Sequence, residues 1–170
     1  MLTQLGVPFD VRPADVEEET AGEPREVAEL NARRKALAIP AEGLVLGADT
    51  IVAIGGGILG KPRDAAQARE YLGRLAGAEH QVVGGVAVTR DGEVVAAGVS
   101  VTDVTFRAVG PRFLDAYVAT EEWRGRAGGY AIQGRGAALV QAIRGDYLNV
   151  VGLPVALLLD LVPGLVPGDG

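Results

Sequence analysis

An aspartate in the middle of an apolar, β-branched run is the feature that most limits how this chain can fold. Residues Leu44-Val45-Leu46-Gly47-Ala48-Asp49-Thr50-Ile51-Val52-Ala53-Ile54 read as a buried strand that carries one carboxylate. A charge in that setting costs several kcal/mol unless it is paired, hydrogen-bonded or metal-bound. The fold must therefore bring partners to Asp49. On the residues alone two readings stay open: a strand-end carboxylate, marked by Gly47 and Thr50, that meets backbone N–H groups, or a functional site.

The flanking pattern alternates helices and strands. Val7 to Arg12 reads as a short strand, followed by the acidic loop Asp15-Val16-Glu17-Glu18-Glu19. Pro24 suits a first helical position, so a helix should run from there through Val27, Leu30 and Lys35 to about Ala38, with Pro40 ending it. Gly55-Gly56-Gly57 turns the chain after the Asp49 strand, and a helix capped by Asp64 places Ala65, Ala68, Tyr71, Leu72 and Leu75 on one face. Gln81 to Thr89 and Glu93 to about Arg107 read as two strands of a hairpin turned by Asp91-Gly92. A helix from Pro111 to Ala119 leads into a glycine-rich loop, Gly125 to Gly136. A strand near Ala138 to Ile143 and an apolar helix to about Leu161 close the pattern, and the tail from Pro163 to Gly170 reads as frayed.

Composition narrows the function classes. A chain of 170 residues, 48% hydrophobic, fits one domain with a real core, of the α/β or α+β kind. It has no cysteine, which excludes thiol nucleophiles and thiolate zinc sites and suits a reducing compartment. The opening residues lack the layout of a secretory signal and no apolar run is long enough to span a membrane, so a cytoplasmic location and no membrane partner are expected. A net charge of -6 argues against a surface that grips polymeric nucleic acid, but not against one nucleotide held by local cations and a metal. The only histidine is His80, so a divalent ion would rest on oxygen ligands, which favour magnesium or manganese.

Several residues could carry chemistry. Lys61, in Gly60-Lys61-Pro62-Arg63-Asp64, follows the hairpin that Asp49 begins and could return to the same cleft to meet phosphate oxygens, or be a solvated loop lysine. Lys35 lies late on its helix beside Arg33 and Arg34, where positive charge also stabilises a helix C-terminus. Of Glu17, Glu18 and Glu19, one at most should point inward as a hard-metal ligand. In Arg126-Ala127-Gly128-Gly129-Tyr130-Ala131-Ile132-Gln133-Gly134, glycines bracket an aromatic and an amide, as where backbone approaches a ligand, and Gln133 can both donate to and accept from a nucleobase edge. His80 reads as a structural hydrogen-bonding residue.

Gly47-Ala48-Asp49-Thr50, Gly60-Lys61-Pro62, Ala127-Gly128-Gly129-Tyr130-Ala131-Ile132-Gln133-Gly134 and Val151-Gly152-Leu153-Pro154 resemble the Maf family in order and spacing. Val101 to Arg107 and Glu79-His80-Gln81-Val82 also fit, so the resemblance covers nearly the whole chain. It implies an α/β fold with a mixed, twisted sheet flanked by helices and a cleft between two lobes, similar to the Maf and inosine-triphosphate pyrophosphatase architecture. It implies hydrolysis of a nucleoside triphosphate to the monophosphate and pyrophosphate, with a divalent cation. Asp49 matches the catalytic aspartate, as general base or metal ligand, and Glu18 an acidic position that shares the metal. Lys35 and Lys61 match phosphate-facing lysines. Thr50 and Gln133 match positions tied to substrate choice, in a form resembling the branch that acts on dTTP and UTP, with modified pyrimidine nucleotides left open.

One departure stands out: the resemblance calls for an initial strand and a Ser-x-Ser-Pro-Arg-Arg loop, whereas Met1-Leu2-Thr3-Gln4-Leu5-Gly6 resembles the end of the helix after that loop, so an N-terminally truncated domain is expected. A catalytically silent nucleotide-binding or regulatory protein is the rival reading, and a homodimer is left open.

Overall fold

The computed structural model describes residues 1–166. Helix α1 (Pro24–Leu37) starts with Pro24 in its first turn and Glu23 as its cap, the Glu23 carboxylate accepting from the Glu26 N–H. Strands β1 (Leu44–Ile54) and β2 (Gly57–Leu59) form a hairpin turned by Gly55 and Gly56. Helix α2 (Ala65–Leu75) is capped by Asp64, which accepts from the Gln67 N–H at 2.8 Å. Strands β3 (Glu79–Arg90) and β4 (Glu93–Phe106) are joined through Asp91-Gly92. Helix α3 (Pro111–Val118), two 3-10 turns (Ala127–Gly129 and Arg135–Leu139), β5 (Val140–Arg144), α4 (Tyr147–Val151) and α5 (Val155–Leu161) complete the order.

The expected α/β class is what the fold shows, with a five-stranded sheet in the order β2-β1-β3-β4-β5. Its pairing is antiparallel throughout instead of mixed. The reason lies in the connection through α2: β2 and β3 run the same way but flank β1 on opposite sides, so they never meet as a parallel pair. The strand expected over Val7 to Arg12 is not formed. Pro8 and Pro13 supply no N–H to a ladder, and Val11 is 80% exposed, so alternation there reports no buried face. The strand expected from Ala138 starts at Val140, after the second 3-10 turn. In the tail, Leu165 packs beside α5, and residues 167–170 lie outside the described residues.

Alternation along the strands sorts side chains to two faces. Val52, Val82, Val104 and Phe106 meet Leu72, Leu75, Leu114 and Tyr117 from α2 and α3, while Val86 and Val88 meet Leu153, Val155 and Leu158. Each fully buried large side chain there contributes about 1.5–3 kcal/mol.

The other face takes α1. Ala28, Ala32 and Ala36, one turn apart and all fully buried, lie against Ile51, Val83 and Ala87. Gly47 and Gly85 make this approach possible: a Cβ on Gly47 would strike the Ala32 carbonyl, and one on Gly85 the backbone of Ala28. Asp49 pairs with Gly85 in the β1–β3 register, so it points at a helix that sits unusually close. Among the described residues no helix is long and apolar enough to cross a membrane.

Candidate active site

Asn31 and Lys35 stand one turn apart on α1, and both reach Asp49. The Lys35 ammonium donates to Asp49 Oδ1 at 2.6 Å and Asn31 Nδ2 donates to Oδ2 at 3.1 Å. The Asp49 side chain is 6% exposed, so these partners replace water almost completely. Lys35 Nζ also lies 2.8 Å from Glu18 Oε1, and Lys61 Nζ donates to the two Glu18 oxygens at 2.9 and 3.0 Å. The result is a chain of alternating charge, Asp49–Lys35–Glu18–Lys61, drawn from β1, α1, the acidic loop and the segment after β2.

Burial works against the Lys35 charge, but its hydrogen bonds to Asp49 and Glu18 outweigh that and hold its pKa above the ordinary lysine value. Glu18 follows the same logic with the opposite sign. Partial burial pushes its pKa up, and hydrogen bonds from Lys35 and Lys61 bring it below the ordinary carboxylate value. Glu17 is exposed, and the Glu19 carboxylate accepts from the Thr20 and Ala21 N–H groups of its own turn, so Glu18 alone of the three reaches the ion-pair chain.

β2 pairs with β1 only from Val52 to Ile54. Beside the outer edge before Val52 a cleft of about 220 Å³ opens, with Lys35, Asp49, Thr50 and Lys61 on one side. Arg126, Tyr130, Gln133 and Gly152, from the glycine-rich loop and the end of α4, complete its lining. A larger groove of about 620 Å³ continues along Leu44 to Ala48 and shares Lys35 with the cleft. A Cβ on Gly152 would stand 3.9 Å from Thr50 Oγ1, so the two strand-edge and loop walls nearly touch at that end.

The glycine-rich wall is held by specific bonds. Gly128 has φ 66°, and a Cβ there would meet Val52 at 2.9 Å, so the loop lies directly on β1. Tyr117 Oη accepts from the Ala131 N–H, and the Glu122 carboxylate accepts from the Arg135 and Gly136 N–H groups. The Tyr130 hydroxyl bonds His80 Nε2 at 2.9 Å. Burial pushes His80 down to about 4, so its ring is neutral at pH 7, as suits the structural part expected of it.

The structure thus brings all six residues singled out from the sequence to one place: Glu18, Lys35, Asp49, Thr50 and Lys61 from one side, and Gln133 from the other. Of two further neighbours, Asn31 and Arg126, the first escapes sequence reasoning. Asn31 looks like any helical asparagine, and its partner is 18 residues away in sequence. Arg126 is exposed on the cleft wall and, among the described residues, makes no ion pair or side-chain hydrogen bond, unlike the two lysines. Only its position in a glycine-rich loop signalled it. Among the described residues no group of three or more His, Cys, Asp or Glu lies close enough to hold a metal by protein ligands alone.

Proteins similar to this chain match it over most of its length. An Anaeromyxobacter dehalogenans protein named dTTP/UTP pyrophosphatase is 48% identical over 161 residues, covering 92% of this chain and 82% of its own length. Proteins of the same name from Symbiobacterium thermophilum and Pyrococcus furiosus are 47% and 41% identical, covering 91% and 89% of this chain and 82% of their own lengths. The family model described as Maf-like protein matches residues 1–165. With nearly its full length matched, the chain belongs to the Maf-like family.

Proposed function

We propose that this protein hydrolyses dTTP and UTP to the nucleoside monophosphate and pyrophosphate. The observation that carries the reading is the Asp49–Lys35–Glu18–Lys61 ion-pair chain beside a cleft that also takes in Arg126 and Gln133, whose side chains have no hydrogen-bond partner among the described residues. The names of the relatives support the substrate class.

The chemistry follows from the charges. Water attacks the α-phosphorus, its oxygen forming a bond to phosphorus as the bond to the oxygen bridging the α- and β-phosphates breaks. Asp49 orients that water and takes its proton, and pyrophosphate leaves with the electron pair. Lys35 and Lys61 turn from the carboxylates toward the phosphates and offset the charge that grows on the leaving group. Arg126 meets the triphosphate first, because its guanidinium has no other partner among the described residues. Gln133 donates to a pyrimidine carbonyl and accepts from the ring N–H, and Thr50 completes the same wall.

The ion-pair chain holds two negative and two positive groups, so it offers no surplus positive charge to a triphosphate. A hard divalent cation, magnesium or manganese, fits here: Glu18 Oε1 and Asp49 Oδ1 already share one cation, the Lys35 ammonium, at 2.8 and 2.6 Å. Glu18 and Asp49 would hold the metal, with water and phosphate oxygens completing its shell. When bound it supplies charge neutralisation at the phosphates. A cytoplasmic location belongs to the same proposal, in keeping with a cysteine-free chain and a soluble substrate.

Pyrophosphate release from a panel of nucleotides tests this reading. Turnover of dTTP and UTP should exceed that of purine triphosphates, and Gln133→Glu should reduce the pyrimidine rates more than the purine ones, since a carboxylate cannot donate. Nucleotide-induced thermal stabilisation without pyrophosphate release would instead identify a binding protein.

A further inference from the structure

The acidic loop that carries Glu18 has little of its own to hold it. Residues 8–22 form no regular secondary structure and, among the described residues, take part in no backbone-to-backbone hydrogen bond. Their ties to the body of the protein are side-chain bonds, and the most buried of these come from Asn31, which is 2% exposed. Asn31 Oδ1 accepts the Glu19 N–H at 2.8 Å, while Nδ2 donates to the Glu19 carbonyl at 2.9 Å and to Asp49 Oδ2 at 3.1 Å. One carboxamide therefore grips both polar groups of one residue and, with the same nitrogen, the carboxylate on β1.

The arrangement is specific to an amide. An alanine would satisfy neither Glu19 nor Asp49, and it would be the better helix former by several tenths of a kcal/mol. An aspartate could accept the Glu19 N–H, but it would turn an acceptor toward Asp49 Oδ2 and toward the Glu19 carbonyl. Only a group with one acceptor and two donors meets all three demands.

We propose that Asn31 is a positioning residue of the site, joining the Glu19 peptide unit to Asp49 so that Glu18 and Asp49 are held at a fixed separation on either side of Lys35. This rests on the pyrophosphatase reading above. Its part in turnover is indirect: besides the ion pairs of Glu18 itself and the more exposed bonds of Arg12 and Arg34, Asn31 is what fixes the backbone of the acidic loop, and without it Glu18 shifts relative to Asp49 while the nucleotide contacts of Lys61, Arg126 and Gln133 stay.

The test compares Asn31→Ala and Asn31→Asp, each with and without Glu18→Gln, against the unaltered protein. Three quantities are read: kcat and KM for dTTP, hydrogen exchange of the peptide covering Glu17 to Ala21, and hydrogen exchange of α2 as a check on the fold. Both single variants should lower kcat about ten- to a hundredfold, the loss typical of a group that holds a ligating residue in place, with KM little changed. Exchange over Glu17 to Ala21 should rise while α2 exchanges as before. In the Glu18→Gln background the effect of Asn31→Ala on kcat should shrink, because the residue being positioned is already disabled. Near-normal kcat in the folded variants, additive losses, or faster exchange in α2 matching that of the loop would each overturn the proposal, the last by showing a general role in stability. If the unaltered protein does not turn over dTTP, the functional reading fails, and the exchange measurements still decide whether Asn31 pins the acidic loop.

Discussion

His80 shows how one buried side chain makes stability depend on pH. Its Nε2 bonds Tyr130 Oη, its Nδ1 has no partner among the described residues, and the ring packs edge-on against Phe106 at 4.9 Å between centroids. Burial lowers its pKa from 6.5 to about 4 in the folded protein, so the unfolded chain takes up a proton in that range that the folded one refuses. Its contribution is complete above about pH 6.5 and lost as pH falls toward about 4, roughly 3 kcal/mol in all. Urea unfolding between pH 6.5 and 5, above the range where carboxylates titrate, should show stability falling with pH, and His80→Gln should flatten that slope. An unchanged slope would show that His80 is not its source. Asp49 was legible because it is the only charge in Leu44 to Ile54, and a buried charge demands an explanation. Asn31 was not, because an amide in a helix demands none until the fold shows what lies opposite.

At the scale of elements, the site depends on how closely α1 approaches the sheet. Gly85→Ala places a methyl group against the Ala28 backbone, and the helix must move outward to admit it. The expected cost is about 1–3 kcal/mol in denaturant unfolding, with a larger fall in dTTP turnover than the stability change accounts for, because Asn31 and Lys35 ride on that helix. Gly110→Ala, where an added Cβ meets nothing within 4 Å, is the control: as a poorer cap for α3 it should cost about 1 kcal/mol or less and leave turnover unchanged. If Gly85→Ala loses stability but keeps full turnover, the spacing of α1 is not what sets the site. The helices α1 and α2 and the β3–β4 hairpin were readable from caps, periodicity and the Asp91-Gly92 turn, all local signals. Val7 to Arg12 misled because alternating residues mean a strand only where a neighbour supplies hydrogen bonds, and that condition is not local. The antiparallel pairing throughout was hidden for a similar reason: strand order, not strand identity, decides it.

For the whole molecule, a net charge of -6 surrounds a cleft whose own ion pairs cancel, and the proposed function therefore assigns triphosphate binding to Arg126, to lysines released from their carboxylates and to a divalent cation. The place of attack is the centre of this account, and hydrolysis of dTTP in ¹⁸O-labelled water reads it directly. With magnesium or manganese present, the label should appear in dTMP and none in the pyrophosphate released beside it, and Asp49→Asn should slow that reaction by about 10²- to 10⁴-fold while remaining folded. Release of labelled orthophosphate with dTDP, labelled pyrophosphate, or an Asp49→Asn protein that turns over at the original rate would contradict it.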